Sequence, residues 1–253
     1  MPRKPRVEYP GYHHIINRGV ARGNIFLKEA DYLKFLELLE HTSKIYSFKV
    51  HSLCLMTNHY HLLIETKIEN LSLLARQINS RYAQYFNKEY KRVGPLWQGR
   101  FKNWFVHDEN YLGVLVRYIE QNPIKANITQ DIGEYNWSAS TLLFDKRFES
   151  LLSNSVLNDK LIFSSLNTIL EEDEIVSLQK TMNEKYKRSE EGLIKLKQIS
   201  LKEYFKKVEN LKDRNEKIML ALKDGYTQGE IGRYLKVTSA LVSHVSKNFK
   251  FDT

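Results

Sequence analysis

The chain has 253 residues, 42% of them hydrophobic and 27% charged. That is enough apolar material for one substantial core and a smaller second one, and it excludes a chain disordered throughout. Lysine and arginine number 39 against 30 acids, giving a formal charge of +9, a balance that favours a polyanionic partner and that solubility alone also accommodates. Cys54 is the single cysteine, so an intramolecular disulfide and a cysteine-based metal cluster are excluded. With no signal-peptide core and no run of 18 apolar residues, the expectation is a cytoplasmic protein that does not span a membrane.

The elements follow in chain order. Tyr12 to Asn17 reads as a strand, and Glu29 to Tyr46 as a helix with Tyr32, Phe35, Leu36 and Leu39 at helical spacing. Phe48 to Met56 and Tyr60 to Glu65 read as two strands separated by the polar Thr57-Asn58-His59. A second helix is expected over Leu71 to Tyr90, a fourth strand over Arg100 to His107, and a helix from Asp108 to about Gln121, stopped by Asn122-Pro123. Strand, helix, strand, strand, helix, strand, helix is the ferredoxin-like split arrangement with an extra helix, an α+β fold. Helices on one face of its antiparallel sheet would leave the other face or an edge open.

Beyond Trp137 the pattern loosens. Residues 146–198, with 9 basic and 9 acidic side chains, read as a helical connector. It divides a domain at 1–145, with 19 basic against 14 acidic residues, from one at 199–253, with 11 against 7. Two basic ends flanking a neutral middle suit two nucleic-acid contacts. In the last segment Thr227 and Glu230 have capping-box spacing, and Ile231, Leu235, Val237, Leu241 and Val245 suit two short helices joined near Lys236. The pair resembles a helix-turn-helix, with Thr238 capping the second helix and Ser239, Ser243, His244 and Lys247 turned toward a major groove; a plain helical bundle is the alternative.

The chemistry centres on His59-Tyr60-His61. On a strand the two imidazoles project to one side and Tyr60 to the other. Two imidazoles on one surface can share a divalent cation, and an oxygen ligand would broaden the site toward manganese or magnesium. Tyr118 and Asn122 lie one helical turn apart on a common face, so an asparagine carbonyl and a phenol could stand side by side. Two surface histidines, a core tyrosine and a helix-ending asparagine describe the same residues as well.

Met56-Thr57-Asn58-His59-Tyr60-His61-Leu62-Leu63 resembles the His-hydrophobic-His motif of the HUH single-tyrosine transposases, in the branch called REP-associated tyrosine transposases. Three more stretches resemble that branch in order and spacing: His14 to Gly19 with Arg22 and Ile25-Phe26, Gly94 to Lys102, and Arg117 to Ala126. The resemblance spans about residues 10 to 140. It implies a transposase in which Tyr118 attacks single-stranded DNA, forming a 5′-phosphotyrosine link. Mg²⁺ or Mn²⁺ would be held by His59, His61 and Asn122, with no nucleotide cofactor. Arg18, Arg22, Arg100, Lys102 and Arg117, interleaved with Trp97, Phe101 and Trp104, would hold single-stranded or hairpin DNA, and the tail would hold duplex. A homodimer is left open. A non-catalytic DNA-binding regulator and a metal-dependent hydrolase using water are the rival functions.

Overall fold

The computed structural model describes residues 8–106, 111–183, 186–189, 192–195, 200–224, 226 and 228–248, with backbone alone at 179–183, 186–189, 192–195, 223, 247 and 248. The chain divides into two compact units, 1–183 and 184–253.

In the first unit, β1 (Gly11–Arg18) leads to α1 (Glu29–Tyr46), then β2 (Lys49–Met56), β3 (His59–Thr66), α2 (Leu71–Glu89), β4 (Lys102–Phe105), α3 (Leu112–Glu120) and the single turn α4 (Asn122–Lys125). The four strands form an antiparallel sheet in the order β2-β3-β1-β4. This is the ferredoxin-like order expected of the sequence. Strand alternation sorts the side chains onto two faces. Ile15 of β1 and Tyr60, Leu62 and Ile64 of β3 are buried together with Phe35, Leu36 and Leu39 of α1 and Leu74, Ile78 and Tyr82 of α2. Fully burying each large apolar side chain contributes about 1.5–3 kcal/mol. Tyr60 fixes the register of this layer: its ring lies 4.9 Å from Phe35 and its hydroxyl donates to Asn79 at 3.0 Å. The start of α1 is tied down by Asp31, a fully buried carboxylate that accepts from Leu27 N–H, Lys28 N–H and the hydroxyls of Tyr85 and Tyr90.

The opposite face is not bare, and here the expectation of helices on one face needs correction. Tyr118 of α3 packs against His14 and His61. The short helices α5 (Ala139–Leu142), α6 (Glu149–Leu152), α7 (Lys160–Ser164) and the longer α8 (Glu172–Asn183) complete the unit. Phe148, Leu151, Leu152, Leu157, Leu166 and Leu178 are buried in the same core as the sheet. Contacts therefore place the division at 183/184, inside the segment 146–198 expected as a connector, because its leucines have apolar surface that the sheet can cover.

The second unit begins with the hairpin β5 (Tyr186–Ser189) and β6 (Gly192–Lys195), in a stretch expected to be helices and linkers. Two paired four-residue strands are too short for periodicity to declare. The helices α9 (Leu201–Tyr204), α10 (Leu211–Lys223), α11 (Gln228–Leu235) and α12 (Ser239–Asn248) follow. Ile218, Ala221, Ile231, Val242 and Val245 form their core. The turn joining α11 to α12 is tight: Lys236 is left-handed (φ 55°) and Val237 N–H donates to Gly232 O at 2.8 Å. A Cβ on Gly232 would lie 2.8 Å from the Val237 carbonyl oxygen, so only glycine permits this approach.

Candidate active site

The site forms where α3 crosses the central strands. Register pairs Ile16 with His61 and Arg18 with His59, while Trp104 on β4 pairs with His14. Even-numbered positions of β1 and odd-numbered positions of β3 therefore share one face with Trp104. His59 and His61 have ring centroids 5.1 Å apart, as their alternation on β3 predicts. His59 is half-buried, and its Nδ1–H donates to the Asn58 side-chain carbonyl at 2.6 Å. That bond assigns its lone pair to Nε2. His61 is buried, with Nδ1 at 3.0 Å from Nε2 of His14, itself fully buried. The other nitrogen of His14, Nδ1, has no hydrogen-bond partner among the described residues.

Burial holds these rings neutral. Desolvation lowers the His14 pKa to about 3, lowers that of His61 well below the ordinary imidazole value, with His14, His59 and Lys125 adding repulsion, and lowers that of His59. Neutral imidazole is the metal-binding form. His59 and His61, both lining one cleft and both fixed at Nδ1, thus fit a divalent cation. Among the described residues no three His, Cys, Asp or Glu side chains converge, so the remaining ligands would have to be of another kind.

Asn122 is held by its amide nitrogen, which donates to the carbonyls of Tyr118 (2.7 Å) and Ile119 (3.2 Å). Its carbonyl oxygen is the end left for a ligand, although Asn122 does not line the cleft with the histidines. Tyr118 is half-buried, its ring centroid 6.0 Å from that of His61 and 6.2 Å from that of His14. Desolvation raises its pKa, so the protein alone disfavours the phenolate. The hydroxyl has no protein partner among the described residues. Tyr111, the other tyrosine on this segment, instead lies 3.2 Å from the Ser177 hydroxyl.

Two residues near this centre were not singled out in the sequence. His14 sits inside a motif, but nothing in the pattern connects it with His61. Lys125 lies with its Nζ 4.7 Å from the centroid of the Tyr118 ring, and burial lowers its pKa. The sequence signal for it is its place inside the Arg117 to Ala126 stretch, just after the Asn-Pro break.

The cleft has a volume of about 540 Å³, and Arg18, Arg22, Arg100, Lys102 and Trp104 line it together with His59 and His61. Arg18 donates to the Gln98 side chain at 2.9 Å. Arg22, Arg100 and Lys102 have no acidic partner among the described residues. Arg22 is presented by a loop with two successive left-handed residues, Ala21 (φ 51°) and Arg22 (φ 60°). The loop closes over Gly19, where a Cβ would lie 2.1 Å from the Gly23 carbonyl oxygen. Non-glycine residues in this region store strain of order 1–3 kcal/mol each, a pattern that clusters at ligand sites. Trp97 belongs to the core, donating to Asn79 O at 2.9 Å, and Phe101 is buried.

Arg117 does not join this wall. It pairs with Glu174 of α8, and its side chain is 11% exposed. Adjacent residues on a helix point about 100° apart, so Tyr118 facing the sheet turns Arg117 toward α8. In the second unit Ser239 and His244 are exposed, but Ser243 is buried beside Val242 on the inner face of α12, which corrects its expected exposure. Thr238 accepts from Leu241 N–H at 3.3 Å and caps α12 as expected. Thr227, residues 107–110 and the Lys247 side chain lie outside the described residues.

Residues 8–122 match the family model "Transposase IS200 like". A Haemophilus influenzae protein named as a REP-associated tyrosine transposase is 22% identical over 121 residues, covering 43% of this chain and 69% of the relative. A solved REP-associated tyrosine transposase bound to a REP hairpin is similar with a TM-score of 0.46 at 17% identity, over 55% of this chain and 82% of that one. A Deinococcus radiodurans crystal structure described as a transposase gives a TM-score of 0.34 at 20% identity, over 48% of this chain and 97% of that one. No helix among the described residues is long and apolar enough to cross a membrane. Over residues 8–122 the chain matches the IS200-like transposase family.

Proposed function

We propose that the first unit is a DNA endonuclease and strand transferase that uses Tyr118 as its nucleophile on single-stranded or hairpin DNA. The observation that carries this reading is the Tyr118 phenol, whose hydroxyl has no hydrogen-bond partner among the described residues and whose ring packs against His61, which lines a cleft walled by Arg22, Arg100 and Lys102. Phosphates of the strand would meet the arginines and lysine while an unpaired base stacks on Trp104. The Tyr118 oxygen bonds to phosphorus as its proton leaves to solvent. The bond from phosphorus to the 3′-oxygen breaks, and that oxygen takes up a proton and departs as the 3′-hydroxyl. A 5′-phosphotyrosine link remains, and attack by another 3′-hydroxyl reverses the step, so no nucleotide cofactor is needed.

A magnesium or manganese ion, held by Nε2 of His59 and of His61 with the Asn122 carbonyl, would supply Lewis-acid polarisation of the phosphate. The residues themselves hold the ligand atoms ready, through Asn58 for His59 and His14 for His61, and α3 carries the phenol to them. The second unit, with α11 joined by a tight turn to α12, the Thr238 cap of α12 and exposed Ser239 and His244, fits a helix-turn-helix that reads duplex DNA.

The test incubates the protein with labelled single-stranded hairpins from the flanks of its own gene, with manganese or magnesium. The expected result is a slow-migrating covalent adduct on a denaturing gel and a free 3′-hydroxyl on the released strand. Binding without cleavage would identify a regulator, and cleavage without an adduct a water-based hydrolase.

A further inference from the structure

Lys125 sits on α4, the single turn that follows the helix of Tyr118. Its base is anchored. Lys125 N–H donates to Gln121 O at 3.0 Å, and the Gln121 side chain donates to the carbonyls of Leu166 (2.9 Å) and Thr168 (2.8 Å). Its ammonium lies over the phenol ring at 4.7 Å and its charge is felt at His61. Several other cations in this unit have an acid: Arg117 has Glu174, Lys28 has Glu89 and Lys49 has Glu65. Lys125 has no carboxylate within ion-pair distance among the described residues. A fixed cation beside a phenol and neutral imidazoles, with no counter-ion, is an incomplete site whose missing component is an anion.

We propose that Lys125 is a further catalytic residue, whose ammonium binds the scissile phosphate beside Tyr118 and stabilises the charge that builds there during attack. This rests on the nucleophilic role of Tyr118. Lys125 keeps its proton throughout and contributes charge alone. It acts at the nucleophile, apart from the cleft wall, where the other cations stand and which Lys125 does not line. The competing role is packing, with the lysine stem and ammonium merely covering the ring.

Binding separates the two roles without turnover. In a Tyr118→Phe background, with chelator and no metal, full-length protein is titrated with a hairpin oligonucleotide carrying either the normal diester or a neutral methylphosphonate at the position that wild-type protein cleaves. The expected preference for the diester is about tenfold, the value of one charge-assisted bond. Lys125→Met should abolish that preference and Lys125→Arg should keep it. In the Tyr118 protein, Lys125→Met should slow adduct formation about 100-fold at saturating DNA with the melting temperature unchanged; Lys125→Gln serves equally if the methionine variant does not fold. An intact preference in Lys125→Met, or an adduct rate within twofold of wild type, overturns the role of Lys125 alone. Absence of any adduct in the wild type overturns the Tyr118 reading and this inference with it.

Discussion

Replacing Tyr118 by phenylalanine removes one oxygen and nothing else, and the surroundings of that oxygen determine what the change can cost. The hydroxyl makes no hydrogen bond to the described protein, and the ring keeps its contacts with His14, His61 and Lys125. No bond is lost, so stability should move by less than about 0.5 kcal/mol, the range of neutral substitutions. The same change at Tyr60 would break its bond to Asn79 and leave a buried amide oxygen one partner short, costing about 0.5–1.5 kcal/mol. Tyr111→Phe forfeits only the contact with Ser177 and should leave chemistry intact. Adduct formation by Tyr118→Phe should fall by at least about 10⁴-fold, the scale on which loss of a nucleophile acts. Denaturing gels of end-labelled DNA read the chemistry, and thermal melts read the fold. Survival of the adduct in Tyr118→Phe with its loss in Tyr111→Phe would refute the assignment. A destabilised Tyr118→Phe would show that the phenol has a structural partner.

His59→Ala and His61→Ala should both lose metal-dependent cleavage, but melts should tell them apart: half-buried His59 gives up its bond to Asn58, whereas His61→Ala strips buried His14 of its one hydrogen-bond partner among the described residues, at about 1–3 kcal/mol. Salt titrations of DNA binding should show the slope falling by about one for Lys102→Ala, while Arg117→Ala leaves it unchanged and loosens α8 instead, since Arg117 already serves Glu174. Glu120 is fully buried, accepting from Ser52 Oγ (2.6 Å) and Ser140 N–H (3.0 Å), and desolvation raises its pKa. A carboxyl raised on folding binds its proton more tightly in the native state, so its contribution is full below the ordinary carboxylate pKa and declines as pH rises through the folded value. Glu120→Gln should therefore flatten the fall of melting temperature above about pH 4.3, the unfolded glutamate value, and an unchanged profile would refute this. Deleting residues 199–253 should spare hairpin cleavage and weaken binding to flanking duplex, measured by gel shift; equal duplex affinity would count against a DNA-reading tail.

The sheet was readable because its strands are bounded by polar breaks and its two long helices carry apolar residues at a clean period of 3.6. His59 and His61 were readable for the same reason, since alternation on a strand requires a common face. Nothing local could show that α3 and the helices after it cover the second face. That follows from leucines such as Leu152 and Leu166, which lie far from the strands in sequence yet are buried in the same core. Long-range pairs were equally hidden: Arg117 meets Glu174 across 57 residues, and a basic residue in a nucleic-acid motif looks the same whether or not an acid waits for it. Ser243 was assigned to the wrong side because adjacent buried positions, Val242 and Ser243, lie on one helix edge where a period of 3.6 leaves either reading open. The place of Lys125 over the Tyr118 ring is set by the turn between them and leaves no periodic mark in the sequence.

The helix that carries Tyr118 is tethered at both its flank and its end, by Arg117 to α8 and by Gln121 to the carbonyls of Leu166 and Thr168. In the proposed covalent intermediate, any tension along the DNA strand would become a force on α3. The tethers would carry that load into the 160–183 helices, so that the layer added beyond the minimal sheet works as a mechanical brace. The phenol would then hold its bearing toward the histidines while the other DNA end is sought, and rejoining would begin from the geometry in which cutting ended.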